Sequence, residues 1–520
     1  MDRATTLQRL RDHPTGWDIV VVGGGATGVG VALDAAVRGH EVALLEASDF
    51  GKGTSSRSTK LIHGGVRYLQ QGNVPLVLEA LRERGILRAN APHLVHDLPF
   101  VVPNYKWWEA PFYGVGMRVY DAMAGRYGFG ASKNLSRQET LRRIPNLEDD
   151  ELKGGVVYHD GQFDDARLLV ALARTAHAQG AALLNYAPVT ALLKDAGGFA
   201  TGVAFRDEES GESLELRAKV VVNATGVFTD RVRRMDDPAA RPVVRPSQGV
   251  HIVLPRRFLA GDAAIMVPHT DDGRVLFAIP WLDRVLVGTT DTPLDEASIE
   301  PRALPEEVDF LLEHARRYME HDPRREDVLS VFAGLRPLVT ADDTADTAEI
   351  SREHAVRVSA AGLVTIAGGK WTTYRKMAED TVDVAQAVGG LTERASATKE
   401  LNIQGFHAHA EKFGRLAPFG SDALDVQALM KSRPGWDQPV HPRLDLTHGE
   451  VAWFTRVEMA RTVDDVLARR SRALLLDARA ASEAAPVVAG LLAAELARDA
   501  AWADAEAARF QELAAGYVLA

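Results

Sequence analysis

Short apolar runs alternate with glycine-rich turns over the first fifty residues of the chain. Residues 18–22 form a run typical of a buried strand, and the glycine-rich residues 23–28 follow it directly. Small and apolar residues then continue to Gly39, where a helix commonly ends, and a second apolar run covers residues 41–45. This pattern predicts a strand, a turn, a helix and a second strand parallel to the first.

Two later apolar runs resemble further strands of the same sheet. Residues 219–226 and 362–369 each end in glycine, as expected at a sheet edge where a ligand comes close. If both lie beside the first strand, three separate stretches of chain build one nucleotide-binding domain. The predicted stretches are residues 14–100, 155–240 and 355–390.

The pattern between these stretches changes to shorter extended segments. The segments are residues 250–254, 265–267, 274–280 and 284–290. They predict a mainly antiparallel second domain over residues 101–154 and 241–354, with one amphipathic helix near residues 306–318.

Beyond residue 390 the chain becomes rich in Ala, Arg and Glu, with helical periodicity over residues 451–472 and 484–519. These features predict a helical C-terminal domain over residues 391–520. The predicted fold class is α/β, with a discontinuous Rossmann-like domain, an antiparallel-sheet domain and this helical domain.

The first glycine-rich turn carries the pattern Gly23-x-Gly25-x-x-Gly28 between a strand and a helix. Glycines permit close approach of a pyrophosphate, and the helix N-terminus supplies amide donors. Glu46 follows about 20 residues later and can accept hydroxyl groups of a ribose. An acid there argues against a 2′-phosphate, which leaves FAD or NAD.

The stretch TSSRSTKLIHGGVRYL at residues 54–69 mixes hydroxyl groups and cations with aliphatic side chains. It offers donors for a second phosphate, and Gly64-Gly65 would let the backbone pass against a flat ring. We therefore expect a segment that runs along FAD from pyrophosphate to isoalloxazine; a surface turn is the alternative. The candidate FAD-binding residues are Gly23, Gly25, Ala26, Thr27, Gly28, Glu46, Thr54, Ser55, Ser56, Thr59, Lys60, His63, Gly64, Gly65, Ala224, Gly226, Gly368, Gly369, Lys370 and Thr372.

These motifs occur in a fixed order with YHDGQFDDARLLVALA, NATGVFTD, GTTDTP, GLRPL and GGKWTTYRKMAED. Over nearly the whole chain the set resembles the FAD-dependent glycerol-3-phosphate dehydrogenases. Thr59 stands where serine is common, and Val227-Phe228 replaces a typical Pro-Trp. The chain lacks the insertion associated with the peroxide-forming oxidase branch, which favours a dehydrogenase.

The resemblance implies an enzyme that oxidises sn-glycerol 3-phosphate to dihydroxyacetone phosphate by hydride transfer to FAD. Its substrate carries a phosphate dianion, which arginine binds well. Arg67, Arg336, Arg352 and Lys370 lie in the segments where the family forms this pocket. Arg352 could be a surface charge only, and Lys370 could instead hold a flavin carbonyl. Tyr68 could bind the substrate or pack in the core.

A histidine is suited to accept the hydroxyl proton, since its ordinary pKa of about 6.5 is near neutral. His251 lies inside an apolar run of the second domain, where a buried structural histidine is the competing interpretation. His63 fits a flavin neighbour better than the base. The predicted catalytic residues are His251, Arg336 and Lys370.

The resemblance also implies electron transfer to a membrane quinone at the bilayer surface. An aromatic cluster beside Lys106 and Arg118 has the composition of an interfacial anchor, although it could also pack a domain junction. Its members are Trp107, Trp108, Phe112 and Tyr113. No apolar run has the length of a membrane span, and no secretion signal is seen. We expect a cytoplasmic protein held peripherally at the inner face of the membrane.

Composition and net charge exclude some kinds of site and some classes of protein. The chain has no cysteines, which excludes disulfides and thiol catalysis, and no metal site is expected. Its net charge of −11 argues against a nucleic-acid binder. The oligomeric state stays open, a homodimer being one option. Alternative functions are a glycerol-3-phosphate oxidase that produces hydrogen peroxide, an amine or amino-acid oxidase of the same flavin fold, and a non-enzymatic flavin-binding adaptor.

Overall fold

The computed structural model describes residues 1–13, 16–65, 73–267, 270, 275–340 and 354–519. Among these residues the strands are β1 (Trp17–Val22), β2 (Val42–Leu45), β3 (Leu61–Ile62), β4 (Val95–Asn104), β5 (Lys133–Ser136), β6 (Gly154–Phe163), β7 (Ala182–Leu184), β8 (Val189–Lys194), β9 (Ala200–Arg206), β10 (Ser213–Asn223), β11 (Val244–Pro255), β12 (Ala264–Val267), β13 (Leu276–Trp281), β14 (Arg284–Gly288), β15 (Thr292–Pro293), β16 (Ser330–Val339), β17 (His354–Val358) and β18 (Val364–Gly368).

The helices in the same part of the chain are α1 (Arg3–Asp12), α2 (Ala26–Val37), α3 (Val74–Asn90), α4 (Glu109–Ala124), α5 (Arg137–Arg143), α6 (Asp165–Ala178), α7 (Thr229–Asp236), α8 (Pro305–Arg316), α9 (Tyr374–Val388), α10 (Ala423–Lys431), α11 (His448–Val457), α12 (Ala473–Leu476), α13 (Ala478–Glu495) and α14 (Ala500–Ala515). A 3₁₀ turn covers Thr54–Ser56, and a π-helical turn covers Asp465–Arg470.

The first sheet has the strand order β17-β18-β10-β1-β2-β7, with the hairpin β8–β9 continuing from β10. Its central pairs are parallel, as Val21 lies opposite Val222, and Val222 opposite Val364. Helices α2, α6 and α9 bury one face of this sheet. Three distant stretches of chain therefore form one sheet, which confirms the predicted fold class.

The second sheet has the order β15-β11-β14-β13-β12-β4-β6-β3, with β16 paired to β11 and β5 to β6. It is mainly antiparallel, with one parallel pair between β4 and β12. Strand β3, where Leu61 lies opposite Gln162, belongs to the hydroxyl-rich stretch. This stretch therefore starts beside the first sheet and joins the second at Leu61 and Ile62.

Some predicted bounds differ from the structure. Residues 155–163 are predicted for the first domain but form part of β6 in the second sheet. The domain limits as a whole stay a prediction. The predicted helix over 451–472 is interrupted after α11, where Met459 has a φ of 57°. The predicted helix over 484–519 is broken at Ala497, whose φ is 52°.

The C-terminal helices share a continuous apolar core with the second sheet. Small side chains of α13, such as Ala480 and Ala484, are fully buried, as is Val488. Within the described residues, no helix combines the length and the apolar character needed to cross a bilayer.

Candidate functional site

A cavity of about 490 Å³ lies at the carboxyl ends of β1, β2, β10 and β18. Ligands bind at this edge of open α/β sheets. Of the residues predicted to bind the cofactor, its walls include Gly23, Gly25, Ala26, Thr27, Glu46, Thr54, Ser55, Ala224, Gly226, Gly368, Gly369 and Lys370. The cavity thus brings together four segments that are far apart in the chain.

The glycine turn after β1 leaves no room for a side chain at Gly23 or Gly28. Gly23 has a φ of 108°, and a Cβ there would lie 2.7 Å from the carbonyl oxygen of Ala224. At Gly28 a Cβ would lie 1.9 Å from the carbonyl oxygen of Gly23. Gly28 is therefore required by the close packing of the turn on α2, while Gly23 and Gly25 line the cavity.

Glu46 follows β2 at the cavity wall, and its carboxylate is fixed by the backbone. Oε2 accepts a hydrogen bond of 2.6 Å from the Gly24 amide, and Oε1 accepts one of 2.8 Å from the Ser48 amide. Burial raises the pKa of Glu46 despite these two donors. Each oxygen keeps a further lone pair, which suits acceptance of ribose hydroxyl groups.

The hydroxyl-rich stretch begins as a 3₁₀ turn whose polar groups largely form hydrogen bonds within the protein. The Ala26 amide donates to Oγ of Ser55 at 2.9 Å, and Oγ1 of Thr54 donates to the carbonyl of Leu335 at 2.6 Å. The indole of Trp371 donates to the carbonyl of Ser55 at 2.8 Å. Trp371 lines the cavity but was not among the individual predictions, although it lies within the quoted GGKWTTYRKMAED motif.

Lys60 does not line the cavity. Its buried Nζ donates to Asp165 at 2.7 Å and to the carbonyl of Ser56 at 2.8 Å. Burial lowers the pKa of Lys60 to about 7, against the opposite effect of the Asp165 carboxylate. Nζ of Lys60 therefore supports the turn from beneath, and the contacts of Lys60 and Ser56 with FAD stay predictions. Asp165 was not among the individual predictions, although it lies within the quoted YHDGQFDDARLLVALA motif.

At Gly64 the protein itself leaves no room for a side chain. The Gly64 amide donates to the hydroxyl of Tyr120 at 2.8 Å. A Cβ at Gly64 would lie 2.5 Å from that hydroxyl and 2.6 Å from Cδ2 of Leu81. Gly65 has a φ of 79°, which favours glycine independently of any ligand. Beside the pair, the His63 amide donates to Oγ1 of Thr372 at 3.3 Å, close to Lys370 in sequence.

His251 lies in β11 and is buried, with 2% of its surface exposed. Its ring stacks on Phe332 at a centroid distance of 5.0 Å, and Nε2 lies 3.0 Å from Oγ1 of Thr59. Nδ1 has no hydrogen-bond partner among the described residues. Burial lowers the pKa of His251 well below its ordinary value, and the cations Lys60 and Arg336 act in the same direction. The ring is therefore a neutral imidazole.

Arg336 lies in β16, opposite Ser247 of β11. Its Nη1 is 3.2 Å from Oδ1 of Asp291, and Nη2 is 3.3 Å from Oγ1 of Thr289. The neighbouring Pro337 lines the cavity. Arg67, Tyr68 and Arg352 lie outside the described residues, so their predicted roles stay predictions. Asp291 and Thr289 were not among the individual predictions, although both lie within the quoted GTTDTP motif.

Comparisons with known proteins agree with this arrangement. A family model described as FAD dependent oxidoreductase matches residues 18–375, and one described as the C-terminal domain of alpha-glycerophosphate oxidase matches residues 364–503. The chain is 43% identical to a mitochondrial glycerol-3-phosphate dehydrogenase of Mus musculus, over 95% of the chain and 72% of that protein. It is 41% identical to the mitochondrial enzyme of Arabidopsis thaliana, over 92% of the chain and 82% of the relative.

A solved structure of the glycerol-3-phosphate dehydrogenase from Bacillus halodurans complexed with FAD matches with a TM-score of 0.80 and 30% identity. The match covers 99% of this chain and 98% of that one. The chain belongs to the family of FAD-dependent glycerol-3-phosphate dehydrogenases. An L-alpha-glycerophosphate oxidase from Mycoplasma pneumoniae matches at a TM-score of 0.58 and 18% identity, over 74% of the chain, and shares the fold.

The cofactor of this family member is FAD, and the residues at the cavity fit it. A Cβ at Gly226, whose φ is 58°, would meet no protein atom within 4 Å, so the space beside this glycine is open to a ligand. The cavity continues from Glu46 at one side to Lys370 and Trp371 at the other. Glu46 would hold ribose hydroxyls, the turn after β1 the pyrophosphate, and the segment around Lys370 the flavin end.

Proposed function

We propose that the protein oxidises sn-glycerol 3-phosphate to dihydroxyacetone phosphate and passes the electrons through FAD to a membrane quinone. The observation that carries the proposal is the position of His251 and Arg336 on the paired strands β11 and β16. Thr59 joins His251 to the stretch that lines the FAD cavity. The names of the relatives support glycerol 3-phosphate as the substrate.

In this proposal Arg336 binds the phosphate group together with Lys370 and, outside the described residues, Arg67 and Arg352. Asp291 contacts the Arg336 guanidinium and holds its plane in place. A site with several cations suits a dianion better than it suits the single carboxylate of an amino acid. The proposed set of cations thus favours a polyol phosphate over the substrates of an amine or amino-acid oxidase.

His251 is the proposed acceptor of the hydroxyl proton, and the contact of its Nε2 with the Thr59 hydroxyl fixes the orientation of the ring. A neutral imidazole is the form that can take a proton. Held at the cavity by Glu46, the glycine turn after β1 and the segment around Lys370, FAD would supply the acceptor for the hydride of the substrate carbon. Phe332, stacked on the imidazole, restricts the ring to one plane.

Contact with the bilayer is proposed for the surface formed by Trp107, Trp108 and helix α4. Trp107 is 84% exposed, Phe112 55% and Val115 63%. Lys106 and Arg118 are also exposed beside them. Tyr113 is buried at 6% and packs into the core, so it does not belong to the exposed part of the predicted aromatic cluster. A peripheral, cytoplasmic location at the inner face of the membrane is part of this proposal.

The decisive experiment records the visible flavin spectrum before and after anaerobic addition of glycerol 3-phosphate. Bleaching by glycerol 3-phosphate, with none by sarcosine, is expected. Flavin that no polyol phosphate can bleach would contradict the enzymatic proposal and favour a flavin-binding adaptor. Reoxidation in air with one peroxide per turnover, and none by a soluble quinone analogue, would assign the protein to the oxidase branch instead.

The membrane contact is tested separately by sedimentation with vesicles of anionic lipid. Trp107→Ser and Phe112→Ser are expected to leave the protein in the supernatant. Phe199→Ser is a matched control, since Phe199 is 56% exposed on a different part of the surface. Equal sedimentation of all variants would show that this surface does not bind lipid.

A further inference from the structure

The segment of residues 46–57 faces the FAD cavity on one side and the C-terminal helical region on the other. Ser48, Gly51 and Ser55 are among its cavity-lining residues. Its regular structure is limited to the 3₁₀ turn Thr54–Ser56. A segment with so little regular structure depends on contacts from outside to hold one conformation.

Asp49 provides the first of these contacts and is fully buried behind the cavity wall. Its Oδ2 accepts from Nε of Arg469 at 2.5 Å and from Nη1 of Arg470, and Oδ1 accepts from Nη2 of Arg470 at 2.9 Å. Burial alone would raise the pKa of Asp49, but the two guanidinium groups reverse this and lower it. The carboxylate is therefore charged, and both of its oxygens are held by the π-helical turn Asp465–Arg470.

Two more positions of the segment are held by the same part of the chain. Nζ of Lys52 lies 2.6 Å from Asp464. Nη2 of Arg472 donates to the carbonyl of Ser56 at 2.7 Å. We call Asp464, Arg469, Arg470 and Arg472 the C-terminal clasp, because they hold residues 49, 52 and 56, which lie more than 400 positions earlier in the chain.

We propose that the C-terminal clasp positions residues 46–57 for FAD, so that the affinity for the cofactor depends on the C-terminal helical region. The clasp residues do not line the cavity and are positioning residues. A segment already fixed in its bound conformation loses less conformational entropy when the ligand binds. Breaking the clasp leaves the direct contacts of FAD in place, but the segment then loses conformational entropy when FAD binds.

The test uses the FAD-loaded full chain and measures the rate of flavin release after dilution, from the rise in free flavin fluorescence. Arg470→Met is expected to release FAD about tenfold faster or more, because Asp49 loses both bonds from Arg470. Arg470→Lys keeps the charge and is expected to restore part of the retention. Asp464→Asn, a milder change, is expected to give a smaller increase in the rate of FAD release.

The matched control is Arg456→Met. Arg456 is an arginine of the same helical region, but it pairs with Glu495 at 2.5 Å, away from the cavity. The Arg456→Met variant is expected to release FAD at the same rate as the unchanged protein. If Arg470→Met does not fold, Asp464→Asn and Asp49→Asn decide the question.

A purely structural role gives a different result. In that case the melting temperature falls by the same amount with and without excess FAD, and the release rate stays within twofold of the unchanged protein. That outcome for both Arg470→Met and Asp464→Asn would overturn the proposal. None of these readouts depends on which substrate the enzyme oxidises.

Discussion

Oγ1 of Thr59 lies 3.0 Å from Nε2 of His251, although the two residues are 192 positions apart in the chain. Thr59 belongs to the stretch that runs from the FAD cavity into β3, and His251 belongs to β11 of the second sheet. This contact joins the cofactor side of the site to the proposed substrate side.

Replacement of His251 tests its proposed role as the base. In His251→Asn the rate of flavin reduction at saturating glycerol 3-phosphate is expected to fall by about 10²–10⁴-fold, since a positioned base contributes that much. Anaerobic stopped-flow spectroscopy measures this rate. His409→Asn, at an exposed site, is the control. A rate of flavin reduction within twofold of that of the unchanged protein would show that His251 is a buried structural residue.

The pH dependence follows from the lowered pKa of His251. A base whose pKa is depressed stays unprotonated until the pH falls below that pKa, so acid does not remove its function near pH 6.5. The rate of flavin reduction at saturation is therefore expected to stay constant as the pH is lowered through 6.5. A decline centred at or above pH 6.5, lost in His251→Asn, would contradict the buried neutral imidazole.

Arg336→Ala tests the phosphate site. Loss of charge-assisted hydrogen bonds worth about 1.5–3 kcal/mol is expected to raise the substrate dissociation constant by roughly 10–100-fold, with little change in the reduction rate at saturation. Titration of the reduction rate against substrate concentration measures both quantities. Arg336→Lys should recover part of the affinity, and Arg217→Ala, at an exposed site, should change nothing. An unchanged dissociation constant would remove Arg336 from the phosphate site.

Gly64→Ala tests whether helix packing explains the glycine. The new Cβ would collide with Tyr120 and Leu81, and overpacking is expected to destabilise the protein by about 1–3 kcal/mol. The melting temperature of the FAD-loaded protein measures the effect. Gly116→Ala on the nearby helix α4 is the control, because no other atom lies within 4 Å of its Cβ position. An equal melting temperature for both variants would show that the site accommodates a side chain.

The sequence alone was sufficient to predict the features that depend on residues close together in the chain. Apolar runs followed by glycine predicted the parallel strands β1, β10 and β18, because buried strands and tight turns place strict demands on local composition. The spacing of Gly23, Gly25 and Gly28 predicted the cofactor turn for the same reason. The ordered motifs then indicated the family and its FAD, which the comparisons confirm.

Only the tertiary structure decided the roles of charged and small residues whose partners are distant in the chain. Lys60 faces Asp165 rather than the cavity, Gly64 is required by Tyr120, and Asp49 is held by arginines some 420 positions later. In the sequence, a lysine or a glycine that contacts a ligand cannot be told from one that contacts a buried residue of the protein. The difference arises from packing between separate elements, and the desolvation of a charge depends on which groups that packing brings within contact distance.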